Sequence, residues 1–122
     1  MSDYKIRLGR WGENLAANFL TSRGYRISGR NFYTAYGEID LIAERGDEIL
    51  FVEVKTRSGS DFGYPEEAVN YFKVRHLIKV INIFLDRKRL NKFWRLDAIS
   101  VEVDKARLKA KISWFKNVGQ DY

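Results

Sequence analysis

The chain has no cysteine, one proline, one histidine and one methionine in 122 residues. Without cysteine there are no disulfides and no thiolate metal sites, which fits a reducing, cytoplasmic location. A single histidine, His76, rules out a histidine-rich metal centre by count. The lone proline, Pro65, leaves no proline-rich linker, and no repeat or low-complexity segment interrupts the sequence. No stretch approaches the roughly 18 apolar residues that a membrane span requires, so no membrane partner is expected. The opening MSDYKIRLGR has no apolar run behind its charges and so does not read as a secretory signal.

What is present is a mixture suited to one folded domain over residues 1–122. Hydrophobic residues make up 45% of the chain and aromatics 15%, enough for a core, and the 31% charged residues mix both signs. The formal net charge is +6. A small basic domain favours a polyanionic partner, meaning nucleic acid or an anionic membrane surface.

Periodicity divides the chain into seven elements. Leu8, Trp11, Leu15 and Phe19 recur at helical spacing, with Ala16 and Leu20 widening the arc, and predict a first helix from about Gly9 to Arg23, with Gly24 as its terminating residue. Trp11 and Trp114 read as core residues. Glu13 lies on the edge of the apolar arc. Strands are expected over Tyr25–Tyr33, over two runs flanking Gly46-Asp47, over Trp94–Val103 and over Leu108–Phe115. Pro65 fits the first turn of a second helix, with Glu66 and Glu67 suiting the positive end of its dipole. That helix continues through Ala68, Val69, Phe72, Leu77, Val80, Ile81, Phe84 and Leu85. The order is α-β-β-β-α-β-β, an α/β fold with a mixed sheet flanked by helices.

The central hairpin, GEIDLIAERGDEILFVEVK over Gly37–Lys55, carries charge where Val, Thr or Tyr would be ordinary. Taking Gly46-Asp47 as a two-residue type II′ loop makes facing residues sum to 93. Asp40 then opposes Glu53, and Glu38 opposes Lys55. Period-two alternation puts these four on one face and Ile39, Leu41, Val52 and Val54 on the other. Opposed carboxylates repel. A divalent cation would offset that repulsion, since Mg²⁺ takes one or two carboxylates and keeps its waters. Lys55 on the same face can balance charge or stabilise a developing oxyanion. The same pattern also arises from a plain Glu38–Lys55 ion pair with Asp40 and Glu53 on a solvated face, and the residues alone leave both readings open.

The string continues beyond the hairpin. Gly12-Glu13, Gly24-Tyr25, Gly37-Glu38-Ile39-Asp40-Leu41-Ile42-Ala43, Phe51-Val52-Glu53-Val54-Lys55-Thr56-Arg57, Phe62-Gly63, Lys73 and Arg95-Leu96-Asp97 together resemble the bacterial YraN-like family. That group is related to archaeal Holliday-junction resolvases within the restriction-endonuclease-like nucleases, whose signature is D…(D/E)-x-K. Ile39 departs from the wider superfamily, which has proline there. The resemblance implies a restriction-endonuclease-like fold, with Mg²⁺ or Mn²⁺ held by Asp40 and Glu53. It further implies the Val54 carbonyl as third ligand, Lys55 as the catalytic lysine and Glu13 as the first-helix glutamate directed at the metal. Glu38 takes a supporting place.

The function these expectations describe is hydrolysis of phosphodiester bonds in DNA, with branched or structured DNA among the substrates. Its rival is a non-catalytic nucleic-acid-binding module that keeps the nuclease fold. Arg57, Lys73, Arg75 and Lys79 are the candidate phosphate contacts. Tyr33, Tyr36, Phe62 and Tyr64 flank the hairpin and are candidates for base stacking as well as for packing. A resolvase-like mode needs two sites and therefore a homodimer. Arg95 and Asp97 share a strand face and read as a structural ion pair.

Overall fold

Small residues, more than large ones, decide how the first helix meets the sheet. The structure is a computed structural model and describes residues 3–58, 71–104 and 106–119. In it, α1 spans Asp3–Ser22, starting six residues before the Gly9 that the apolar spacing suggested. Its buried line is Gly12, Ala16, Ala17 and Leu20; fully burying a side chain such as Leu20 contributes roughly 1.5–3 kcal/mol. Ala16 and Leu20, expected to widen the apolar arc, lie at its buried centre. Trp11 is 42% exposed and borders a cavity with Val103 and Leu108, while Leu15 and Phe19 pack at the margin. The helix ends as expected. Gly24 has φ 92°, the Tyr25 amide donates to the Leu20 carbonyl at 3.1 Å, and the Gly24 amide donates to Thr21 at 3.1 Å. This pair of bonds is the Schellman closure.

Five strands follow the chain in spatial order: β1 (Arg26–Thr34), β2 (Gly37–Arg45), β3 (Glu48–Ser58), β4 (Phe93–Asp104) and β5 (Lys109–Phe115). Neighbours are antiparallel except β3 and β4, which are parallel. A parallel neighbour requires a crossover, and α2 (Tyr71–Lys88) lies between the two strands in sequence. The sheet is mixed, with a helix on each face, and the order α-β-β-β-α-β-β is the expected one. Under α1 lie Leu41, Ala43, Leu50, Val52, Ile99 and Val101. Under α2 lie Ile39, Ile42, Ile49, Phe51 and Leu96, covered by Val74, Leu77, Val80 and Ile81. Phe72, expected on that apolar stripe, is 74% exposed. It shares the opposite face with His76 and Lys79 at i, i+4 and i+7. The Pro65 start, the first-turn Glu66 and Glu67, and Phe62, Tyr64, Ala68 and Val69 lie outside the described residues. No helix among the described residues is long and apolar enough to cross a membrane.

Asp97 fastens the far edge of the sheet. Its buried carboxylate accepts from Arg95 Nε at 2.7 Å, Trp114 Nε1 at 2.7 Å and the Asn117 amide at 2.7 Å. The Arg95–Asp97 ion pair is thus structural, as expected, and Trp114 is tied into the packing with Phe19 and Tyr25 edge-on.

Gly12 is the point of closest approach between α1 and β3. A Cβ there would lie 1.8 Å from Thr56 Oγ1 and 2.8 Å from Thr56 Cβ. Gly12→Ala is therefore expected to lower stability by about 1–3 kcal/mol, the scale of overpacking, despite the better helix propensity of alanine. Urea denaturation measures the loss, and adding Thr56→Ala should restore part of it.

Candidate functional site

The hairpin forms around Gly46-Asp47 as expected. Gly46 has φ 58° and Asp47 is not in the left-handed region, which suits a type II′ turn. Arg45 pairs with Glu48, Glu44 with Ile49, Ala43 with Leu50, Ile42 with Phe51 and Leu41 with Val52. Every pair sums to 93. The ladder then stops. The expected Asp40–Glu53 and Glu38–Lys55 pairings do not form, because β2 and β3 part at this point. In a continued ladder the Val54 amide would donate to the Ile39 carbonyl. It donates instead to Asp40 Oδ2 at 2.7 Å. A side-chain carboxylate thus replaces a main-chain carbonyl where the strands open.

The parting lies beside an irregular position in β1. Arg30 pairs with Leu41 and Phe32 with Ile39, with no pair recorded for Asn31 and Asp40 between them. Asn31 is left-handed, with φ 51°, a conformation that Asn tolerates better than most residues. Strict alternation would put Ile39, Leu41 and Ala43 on one face. Leu41 and Ala43 instead pack under α1 while Ile39 packs under α2. The expected placement of Ile39 beside Leu41, Val52 and Val54 is corrected accordingly: β2 rotates at Asp40.

Four carboxylates meet around this opening. Asp40 and Glu53 line one cleft of about 410 Å³ together with Glu38. Glu53 is only 7% exposed and pairs with Lys73 Nζ at 2.6 Å. Glu38 accepts a hydrogen bond from Asn31 Nδ2 at 2.6 Å, and the same nitrogen donates to Glu13 Oε1 at 3.3 Å. So Glu38 is bridged through Asn31 to Glu13, not paired with Lys55 as expected. Burial first, and the Glu53 charge second, push the Asp40 carboxyl up to about 8, against the opposing pull of the Val54 amide. Burial likewise raises Glu13, with the charges of Glu38 and Glu53 adding to it and the Asn31 hydrogen bond resisting.

The remaining candidates divide between two places. Glu13, Val54, Lys55 and Arg57 line an open groove of about 630 Å³ along the start of α1. Tyr4 and Ser58 bridge that groove by a 3.1 Å hydrogen bond between hydroxyls. Lys73 stands in the Asp40–Glu53 cleft with His76, Tyr36 and Phe72. Lys79 sits over the Tyr36 ring at 5.1 Å, and Arg75 is exposed on α2. Sequence periodicity missed two contributors. Asn31, the bridge between Glu13 and Glu38, had no motif to mark it. Phe72 did carry a signal, since it falls off the Val74–Leu77–Ile81 stripe.

The donors available are carboxylate oxygens and a main-chain carbonyl, the chemistry that Mg²⁺ or Mn²⁺ favours. Asp40 Oδ2 and Glu53 Oε1 are engaged by Val54 and Lys73. Among the described residues no group of three or more His, Cys, Asp or Glu side chains is arranged to hold a metal ion. The pair fits a cation that keeps much of its water shell and does not fit a closed protein cage.

Residues 12–101 match the family model described as Uncharacterised protein family UPF0102. The chain belongs to this family. It is similar to the UPF0102 protein of Syntrophomonas wolfei, 46% identical over 105 residues, covering 84% of this chain and 90% of that one. It is similar also to the UPF0102 protein of Caldicellulosiruptor saccharolyticus, 42% identical over 114 residues, or 93% and 97% of the two chains. A third relative, from Clostridium tetani, is 41% identical over 102 residues. The stretch that matches the UPF0102 family contains all four carboxylates of the site.

The raised Asp40 carboxyl makes stability depend on pH with a definite sign. Its folded value of about 8 exceeds the ordinary unfolded value of about 3.9, so the folded protein binds the extra proton. The penalty for ionising Asp40 is absent below the unfolded value, grows across the window between the two, and is complete above about 8. The metal-free protein should lose melting temperature over that window. Asp40→Asn should flatten the slope and melt higher than the wild type at the alkaline end. Thermal melts of both proteins across pH, in chelator, check this; parallel curves would mean that Asp40 carries no such penalty.

Proposed function

We propose that this UPF0102 protein is a nuclease-like enzyme that hydrolyses phosphodiester bonds in DNA, branched or structured DNA included, with Mg²⁺ or Mn²⁺. One observation carries the reading: Asp40 and Glu53 converge where β2 and β3 part, with the Val54 main chain between them. In this reading Asp40, Glu53 and the Val54 carbonyl hold the cation, and Glu13 supports it directly or through water. When bound, the cation supplies Lewis-acid stabilisation of charge at the scissile phosphate. Lys55 orients the attacking water or offsets the charge that develops on the phosphate oxygens. Asn31 keeps Glu13 and Glu38 in place by donating to both. Lys73 offsets part of the cluster's negative charge through its contact with Glu53. Arg57, Lys73, Arg75 and Lys79 meet the phosphate backbone, in line with the +6 net charge. A cytoplasmic location and a homodimer, which would present two sites to a branched substrate, belong to the same proposal.

A second reading has its own support. The Lys73–Glu53 ion pair balances charge at the site without a cation, and no three-ligand group occurs among the described residues. A non-catalytic nucleic-acid-binding module would keep both features. Incubation of linear, flapped and four-way DNA with Mg²⁺ or Mn²⁺ separates the two readings. The enzyme reading expects metal-dependent cleavage of at least one substrate. Lys55→Ala should lower the rate on the order of 10²–10³-fold, the scale for losing one charge-stabilising group, with binding largely kept. Asp40→Asn and Glu53→Gln should abolish cleavage. Salt-sensitive binding without cleavage of any substrate in either metal would leave the binding module.

A further inference from the structure

We infer that the cleft between α2 and the β1–β2 turn receives an unpaired nucleotide, so that the protein distinguishes single-stranded or locally unpaired nucleic acid from uninterrupted duplex. The inference rests on the nucleic-acid reading above and adds the substrate feature that this side of the site selects. Its basis is the placement of exposed aromatic rings. Phe72 is 74% exposed and Tyr36 48% exposed, and both line the cleft that holds Asp40 and Glu53. They come from different elements, Phe72 from the first turn of α2 and Tyr36 from the turn that joins β1 to β2.

Neither ring serves the core. The α2 core stripe is complete in Val74, Leu77, Val80 and Ile81, and Phe72 lies on the other face of the helix with His76 and Lys79. Phe72 is largely exposed on a face it shares with His76 and Lys79, and its ring suits a partner with a flat apolar surface. A nucleobase is such a surface, and its phosphate supplies the negative charge that the neighbouring cations complement. Lys73 stands inside the cleft, and the Lys79 ammonium lies 5.1 Å from the Tyr36 ring. Aromatic platforms beside cationic groups are the means by which proteins hold unpaired strands. In duplex the base faces are already stacked and cannot reach Phe72 or Tyr36, so only an unpaired base can use the platform. A base resting there brings its adjoining phosphate close to Asp40 and Glu53, which border the same cleft.

The test measures binding of the full chain in chelator, so that cleavage cannot intervene. A short single-stranded oligonucleotide carrying 2-aminopurine is compared with the duplex of the same sequence at low salt. The wild type should bind the single strand at least about ten-fold more tightly and quench the 2-aminopurine emission, as stacking does. Phe72→Ala should weaken single-strand binding by roughly five-fold to a hundred-fold, remove most of the quenching and leave duplex binding unchanged. Tyr36→Ala should act in the same direction, and Phe72→Trp should retain binding. Both side chains are exposed, and circular dichroism confirms that each variant folds. Equal affinity for the two forms, or alanine variants that bind the single strand like the wild type, would overturn the inference while leaving nucleic-acid binding intact. Failure of the wild type to bind either form would overturn the nucleic-acid reading and this inference with it.

Discussion

The hydrogen bond from the Val54 amide to Asp40 Oδ2, 2.7 Å long, decides what the rest of the sheet can do. Upstream of it β2 and β3 form a regular hairpin. Downstream β3 leaves β2 and continues along β4 for its whole length, to Ser58 opposite Val103. An amide left open at such a fork would cost about 1–3 kcal/mol if it stayed buried and unpaired. The Asp40 carboxylate removes that cost and is held at the fork in return. Glu53, one residue before Val54, is thereby kept within the field of Asp40. The fork, the cleft and the acidic pair are one feature of the backbone.

Like charge is the cost of this arrangement. Glu13, Glu38, Asp40 and Glu53 act on one another electrostatically, and burial, the larger cause, together with this repulsion makes Asp40 hold its proton to about 8. Three devices offset the repulsion: the Val54 amide on Asp40, the Asn31 side chain between Glu13 and Glu38, and the Lys73 ammonium on Glu53. Together they touch all four carboxylates, and none of them satisfies all of the available oxygens. That residue of unmet charge is what a hard divalent cation with its own waters is suited to meet. Gly12 contributes from the other side. It lets α1 approach Thr56 closely, and Glu13 follows it directly in the chain.

Much of this could be read from the sequence where the determinants were local. Gly46-Asp47 specified the loop and hence the hairpin register as far as Leu41 and Val52. Gly24 marked the end of α1, and the combined string from Gly12-Glu13 to Arg95-Leu96-Asp97 pointed to the family. What escaped depended on partners distant in the chain. The rotation of β2 at Asp40 lies beside the left-handed Asn31 on the neighbouring strand, and alternation within the hairpin put Ile39 on the wrong face. The early start of α1 carries only exposed apolar residues, Tyr4 and Ile6, before Leu8, and Tyr4 is tied to Ser58, 54 residues away. Trp11 and Phe72 were assigned to the core because large apolar residues at near-helical spacing invite it. The close approach at Gly12 and the completeness of the Val74–Ile81 stripe place both on the outside.

The proposed hydrolysis requires that the fork between β2 and β3 take a divalent cation. Isothermal titration of the chelator-treated protein with Mn²⁺ measures this without reference to any substrate. Saturable binding of one ion per chain in the wild type, lost in both Asp40→Asn and Glu53→Gln, is the result the account predicts. No binding by the wild type, or binding that neither substitution weakens, would contradict it.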